Sequence, residues 1–526
     1  MLSLHSGSEE CFHFAKTQIQ TCLSSHPKCI QTSPSTLPKR VINIGHSSTS
    51  TIRLTEPPPN TIAKYTALSH CWGTHQPIKT ILSNLPQMKN AILWTALSAV
   101  FRDAITISRN LDIEYIWIDS LCIIQDSKPD WEIESAKMGS YYSRAHLTIS
   151  ASSSPNGTIP FLAPRPPEHL PKTFPFLTND SNGTIVNVIA RQHTGSSMSQ
   201  LLEPLAPLAS RGWVWQENVL STRILHYTAS ELIFECKTRF ISEDGAKPRG
   251  FYSLGLSQKL PREGEMEMQL EMERCWNALM ESYSVRKLTF ETDRLPAVSG
   301  VAGVVEGRMG DGEGGVYLAG LWRGHLVRGL CWSRDYGAES GEVPLLKPRA
   351  YVAPSWSWAS VNGAIAFVDG NEDPEEAFVE EVVVVDVKCE VEGLNRFGEV
   401  SSGFLVLRGQ VVRMRVNCGE PRNCWTFTVG EDPETREPLA ADCALVEYVN
   451  EDGEGGVRRA MEGDVLAPFE VDVWCLKLGT EGKGDDGIVY GMVVGRSGAE
   501  TYSRLGLVQL DCEWFGDGAE MQMKII

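Results

Sequence analysis

From Tyr65 to Ser152 short apolar runs alternate with amphipathic helical segments, and that alternation restricts the fold more than any other feature. YTALS (65–69) is a strand, WTALSAVFRDAITISRN a helix with Leu97, Phe101, Ala104, Ile105 and Ser108 along one face, and EYIWID a second strand. DWEIESAKMGSYYSRA predicts one further helix, with Trp131, Ser135, Met138 and Tyr142 on one side and Asp130 or Ser127 as its cap, and HLTISAS predicts a third strand. Strand, helix, strand, helix, strand favours a parallel sheet with right-handed crossovers, and so an α/β fold. A helix over SRGWVWQENVLS and strands RILHY and ELIFEC continue the pattern.

The flanking sequence sets the expected boundaries. Residues 1–60 read as an N-terminal arm ending in a Pro-rich connector at Pro57 to Pro59, and residues 61–240 as the α/β domain, with a long surface loop over 155–208. Residues 241–370 read as a mixed helical and extended region, in which Met268, Met272, Cys275 or Trp276, Leu279 and Tyr283 make the apolar stripe of a core-facing helix. Gly310 to Gly315 lack the strand and helix context of a phosphate loop and read as a surface turn. From 371 to 526, apolar runs such as EEVVVVDVKCEVE, GFLVLRGQVVRMRV and GIVYGMVVG, separated by Gly, Glu and Asp turns, predict a β-rich C-terminal module.

Charge and cysteine usage narrow the function classes. Asp and Glu number 66 against 48 Lys and Arg, a formal charge of −18, which repels phosphate backbones and anionic headgroups. Neither nucleic acid nor membrane is expected as a partner. The 14 Cys are scattered without the dense framework of small secreted domains, so reduced thiols and a cytoplasmic protein are expected. No apolar run approaches the roughly 18 residues of a spanning helix, and the first thirty residues lack the apolar core of a signal peptide.

Three constellations could carry chemistry. Ser69-His70-Cys71-Trp72-Gly73 follows the first strand directly, where open α/β sheets bind ligands. Asp119, in WIDSLCIIQD, falls at the carboxyl end of the second strand, so the two loops should share a rim if their strands are neighbours. It could hold a ribose hydroxyl or orient a base, or simply cap a helix. In SRGWVWQENVLS, Ser210 as helix cap would place Trp213 and Glu217 four apart on one face. A glutamate desolvated beside an indole has a raised pKa and suits acid–base or oxocarbenium-stabilising work; the plainer alternative is an ion pair with Arg211 or Arg223. Cys22-x3-His26-x2-Cys29 offers three soft ligands without the second pair of a structural zinc site, so no metal is expected. A thiol nucleophile at Cys71 lacks a visible orienting partner.

At these residues the chain resembles the fungal heterokaryon incompatibility (HET) domain family. The resemblance lies in YTALSHCWG (65–73), IEYIWIDSLCIIQDSKPDWEIESAKMGSYYSRAHLTISAS (113–152) and RGWVWQENVLSTRILHYTASELIFEC (211–236), and covers about residues 62–236. His70 stands where the family often shows Tyr, and Trp215 where its residue is commonly smaller. The resemblance implies fungal non-self recognition and programmed cell death, with other HET-family or self-recognition proteins as partners and a possible homo-oligomer. It also implies distant similarity to TIR domains, flavodoxin-like units some of which cleave NAD with a helix-borne glutamate four residues after a Trp, the spacing of Trp213 and Glu217.

Two functions follow from the resemblance. In the first, the domain is an NAD glycohydrolase needing no cofactor, with NAD as substrate, Glu217 and Asp119 as catalytic candidates, and His70, Cys71, Trp72, Gly73 and Trp213 lining the substrate pocket. In the second, it is a non-enzymatic death-signalling module acting by self-association.

Overall fold

The computed structural model describes residues 2–30, 35–73, 78–177, 185–190, 207–245, 268–309, 313–335, 346–368, 377–418, 427–430, 436–449, 455–482, 487–516 and 518–526. The chain divides into two compact units, Met1–Leu260 and Pro261–Ile526.

The first unit is built on an eight-stranded mixed sheet. Its strands are β1 (Val41–Asn43), β2 (Arg53–Thr55), β3 (Tyr65–Ser69), β4 (Tyr115–Trp117), β5 (Leu147–Ser150), β8 (Arg223–Tyr227), β9 (Leu232–Cys236) and β10 (Phe240–Ser242), while β6 (Lys172–Leu177) and β7 (Ile185–Ala190) form a separate pair. The order is β10-β9-β8-β5-β3-β4-β1-β2. The pairs β3–β4, β3–β5 and β5–β8 are parallel; β1 and β2 on one side and β9 and β10 on the other add antiparallel edges. Every residue of β3 and β5 is buried, as expected of parallel strands covered on both faces. Along the parallel core the spatial order is second, first, third, fourth strand in the chain, so the connections change side between β3 and β5.

Among the described residues seven α-helices accompany the sheet: α1 (Glu9–Ser25), α2 (Leu85–Asn90), α3 (Ala99–Asn110), α4 (Asp119–Cys122), α5 (Lys128–Ser135), α6 (Met138–Arg144) and α7 (Gly212–Leu220). In α3, Phe101, Ala104, Ile105 and Ser108 are buried as their spacing requires, and the Ser98 hydroxyl caps it by accepting from Phe101 N. Ser127 caps α5 in the same way.

Four expectations change. The stretch 128–144 is two helices, because Lys137 N bonds back only three residues, to Glu134 O, and this tight turn breaks the ladder. Residues 1–60 supply α1, β1 and β2 rather than an arm. Of the expected loop, residues 172–177 and 185–190 form the paired strands β6 and β7. Ser210 does not cap α7; the cap position is Arg211, and the Ser210 hydroxyl donates to Pro207 O instead.

In the second unit, Met272, Cys275, Trp276, Leu279 and Tyr283 are buried on the helix Met268–Ser284. The Trp276 and Trp358 indoles both donate to Gly320 O at 2.9 Å. Gly320 has φ +100°, and a Cβ there would lie 2.6 Å from the Trp358 indole nitrogen, so only glycine fits. Of the expected turn, Gly310 falls outside the described residues, and Glu313–Gly315 is a single 3-10 turn. The β-rich module is present: its path runs from Val400–Cys418 through Phe469–Glu481, Ile488–Arg496, Thr501–Asp511, Glu437–Ala441 and Phe427–Val429 back to Val400–Cys418, closing a barrel. Asp442 is fully buried between Arg504 and Arg459, and the Arg504 guanidinium stacks on Trp332 at 3.8 Å while its nitrogens donate to the Leu330 and Trp332 carbonyls.

Candidate functional site

The parallel pairing of β3 and β4 sets their carboxyl ends side by side. His70 is the first residue past β3, and Asp119 lies two residues past β4, as the first residue of α4. Asp119 Oδ1 accepts from its neighbour Ser120 N at 2.7 Å, and its Oδ2 accepts from the Trp72 indole nitrogen at 2.8 Å. His70 Nδ1 stands 3.9 Å from Asp119 Oδ1, close enough for attraction but beyond a hydrogen bond. Asp119 keeps 17% of its side chain exposed, whereas His70 is buried, edge-on to Phe101 at 5.2 Å. Two loops from adjacent strands therefore share one rim, and that rim lies beside the point where the connections switch from one face of the sheet to the other, the place where open α/β sheets take ligands.

The third strand-end neighbour is α7. Its Val214 packs with Cys71 and Leu208, which presses the helix onto the loop leaving β3. The Arg211 guanidinium, at the helix entrance, donates to His70 O at 2.6 Å. Glu217, one turn further along than Trp213, is buried at 5% exposure. Burial pushes its carboxyl up to about 7 and the Asp119 charge adds to this, while Ser69, Arg211 and Tyr142 favour the ionised form. Tyr142 comes from α6, which packs against α7, and its hydroxyl donates to Leu68 O at 3.0 Å. Burial lowers the His70 imidazole to about 4, only partly opposed by Asp119, so the ring is neutral at pH 7.

Among the described residues, His70 Nε2 and Glu217 Oε2 are buried here without a hydrogen-bond partner. Buried polar groups are nearly always paired, so these two atoms have bonding capacity that a water or a ligand's polar atom would fill. The array comprises a carboxyl poised to change charge near neutrality, a neutral imidazole and a fixed, partly exposed carboxylate. It suits stabilisation of a developing cation, and Asp119 suits a hydroxyl donor.

The remaining sequence candidates fall as follows. Trp72 is half-buried as the donor to Asp119. Gly73 has φ +70°, and a Cβ would come 2.4 Å from Asn156 Cβ, so glycine is required for the turn and not for a ligand. Cys71 is buried in the apolar contact with Leu208 and Val214, and burial raises its thiol above the ordinary range, which opposes a nucleophilic role. Trp213 is partly buried against the main core. Arg223 faces away, donating to His146 O and Cys29 O, which removes it as an ion-pair partner of Glu217. Sequence reasoning passed over Tyr142 as a member of the site and read it only as part of a helix's apolar face, although its hydroxyl reaches the end of β3.

The fold and this cluster define a mixed α/β protein with a polar site at parallel strand ends. Residues 65–217 match the family model described as Heterokaryon incompatibility protein (HET), a segment that runs from the first residue of β3 to Glu217 itself. Comparison with curated proteins and with solved structures returned no match. Among the described residues no helix is long and apolar enough to cross a membrane.

Proposed function

We propose that this chain is a cytoplasmic cell-death effector of fungal non-self recognition whose HET domain hydrolyses the nicotinamide–ribose bond of NAD. The family match supports a heterokaryon incompatibility-type role in the broad sense. The observation that carries the enzymatic reading is Glu217: a buried carboxyl pushed to about 7, with one oxygen unpaired among the described residues and within electrostatic reach of Asp119 and Arg211. The order of the parallel strands, second-first-third-fourth, is that of flavodoxin-like sheets and favours kinship with TIR domains. A likeness of fold alone assigns no chemistry, so the site has to carry the argument.

The chemistry asks little of the protein. The glycosidic bond to the pyridinium lengthens, nicotinamide leaves neutral with the bonding pair, and ribose carries the oxocarbenium charge. Ionised Glu217 faces that charge in a site shielded from water, where the attraction is stronger than in solvent. Asp119, fixed by Trp72, holds a ribose hydroxyl. Water then adds to the anomeric carbon and loses a proton, for which the neutral His70 Nε2 is an available acceptor.

The test is nicotinamide release from NAD by the purified chain, alone and under crowding, compared with Glu217→Gln. Release by wild type and its loss in the variant is expected. NAD left intact by wild type under every condition overturns the proposal. Cell death that persists in the Glu217→Gln variant would assign the chain to self-association instead.

A further inference from the structure

A second cluster lies apart from the strand-end site. Cys22 and His26 sit one turn apart at the end of α1, Cys29 closes the 3-10 turn Pro27–Cys29, and Cys236 is the last residue of β9. One ligand atom from each lies within 4.8 Å of all the others. We propose that Cys22, His26, Cys29 and Cys236 bind one zinc ion as a closed structural site that staples the end of α1 to the sheet.

The geometry fits zinc. Zn–S bonds of about 2.3 Å and Zn–N bonds of about 2.0 Å in a tetrahedron separate ligand atoms by about 3.5–3.8 Å. His26 Nδ1 and Cys236 Sγ are 3.3 Å apart, and the whole set fits inside the 4.8 Å limit. Three thiolates and an imidazole are the donors that select zinc over calcium, magnesium or manganese. All four positions are filled by protein and all three Cys are buried, which describes a structural rather than a catalytic centre.

The surroundings complete the case. Zinc with three thiolates carries one net negative charge, and Arg223 Nη1 lies 3.7 Å from Cys22 Sγ while also donating to Cys29 O at 3.1 Å. The Thr238 hydroxyl lies 3.7 Å from Cys29 Sγ. Such neighbours orient and neutralise a metal-thiolate set. On binding, the three thiols release their protons to solvent and each sulfur gives one electron pair to the ion; His26 binds through its neutral ring. From sequence the motif counted only three ligands, because the fourth stands more than two hundred residues away and is brought in by β9 pairing with β8.

The full chain, purified without chelators or added metal, should contain one zinc per chain by plasma emission, released when an organomercurial caps its thiols. Cobalt exchange should give the visible bands of a tetrahedral site with thiolate charge transfer. Cys236→Ser should lose the zinc, whereas Cys512→Ser, outside the cluster, should keep it. If Cys236→Ser does not fold, the wild-type zinc content and cobalt spectrum decide alone. Folded wild type without zinc, iron in its place, a Cys22–Cys29 disulfide, or full zinc retention in folded Cys236→Ser overturns the proposal.

Discussion

The Trp72 indole nitrogen donates to Asp119 Oδ2 at 2.8 Å, fastening the loop that leaves β3 to the first turn after β4. Neither residue reaches the other through local sequence; the parallel pairing of β3 with β4 makes the bond possible.

Replacing Trp72 by Phe keeps an aromatic ring but removes the donor. A hydrogen bond to a charged acceptor contributes about 1.5–3 kcal/mol, and the partial exposure of Asp119 lets water replace some of it, so a loss of about 1 kcal/mol is expected in urea unfolding. Because the same bond aims Asp119, nicotinamide release should fall by about tenfold or more, a larger effect than the stability loss accounts for.

Glu217 and His70 make opposite contributions to stability over an overlapping pH window. Glu217 rises from 4.5 to about 7 in the fold, so the folded chain keeps a proton that the unfolded chain gives up, and stability is lost as pH rises from 4.5 to 7. His70 falls from 6.5 to about 4, so the folded chain refuses a proton that the unfolded chain takes, and stability is lost as pH drops from 6.5 to 4. Each contribution is about 3 kcal/mol at full extent, and between pH 4.5 and 6.5 the two slopes oppose each other. Relative to wild type, Glu217→Gln should gain about 3 kcal/mol on going from pH 4.5 to above 7, and His70→Gln should gain about as much on going from pH 6.5 to 4. Denaturant titrations at closely spaced pH values measure both difference curves; flat curves would show that neither group is buried as described.

Gly73→Ala should destabilise the chain. The left-handed backbone at φ +70° costs an alanine about 1–2 kcal/mol, and the 2.4 Å approach to Asn156 Cβ forces a loop shift on top of that. A clear drop in thermal midpoint is expected, and an unchanged midpoint would mean the loop after His70 is differently built.

In the second unit, Asp442→Asn leaves the buried Arg504 and Arg459 guanidiniums without their shared counter-charge. Removing one member of a buried ion cluster costs about 3–5 kcal/mol, so this variant should unfold at markedly lower denaturant. Wild-type stability in Asp442→Asn would show that the carbonyls of Leu330 and Trp332 suffice to hold Arg504.

Much of the first unit was legible because parallel strands and their helices write strong periodicity. The buried face of α3 follows directly from Phe101, Ala104, Ile105 and Ser108, and strand-end reasoning brought His70 and Asp119 to one rim. β1 and β2 were not legible, since three residues are too few to show alternation and Pro57 to Pro59 draw attention to a connector. The split at Ala136 and Lys137 leaves no mark in the apolar spacing, because Met138 and Tyr142 remain buried on either reading. In the β-rich module, Thr501–Asp511 and Ala519–Ile525 escaped notice: the first opens on polar residues and the second is a mostly exposed strand off the closed path, paired with Val400–Cys418. Cys236 carried no local signal for its place beside Cys22, His26 and Cys29.

The most direct test of the account is calorimetry of a non-hydrolysable carbocyclic NAD analogue at pH 7, run in buffers of different ionisation enthalpy. A pyridinium seated against Glu217 favours the ionised carboxyl, so binding to wild type should release up to about half a proton, and binding to Glu217→Gln should release none. Equal proton release by the two proteins, or no binding to wild type, would contradict the assignment of this site to NAD.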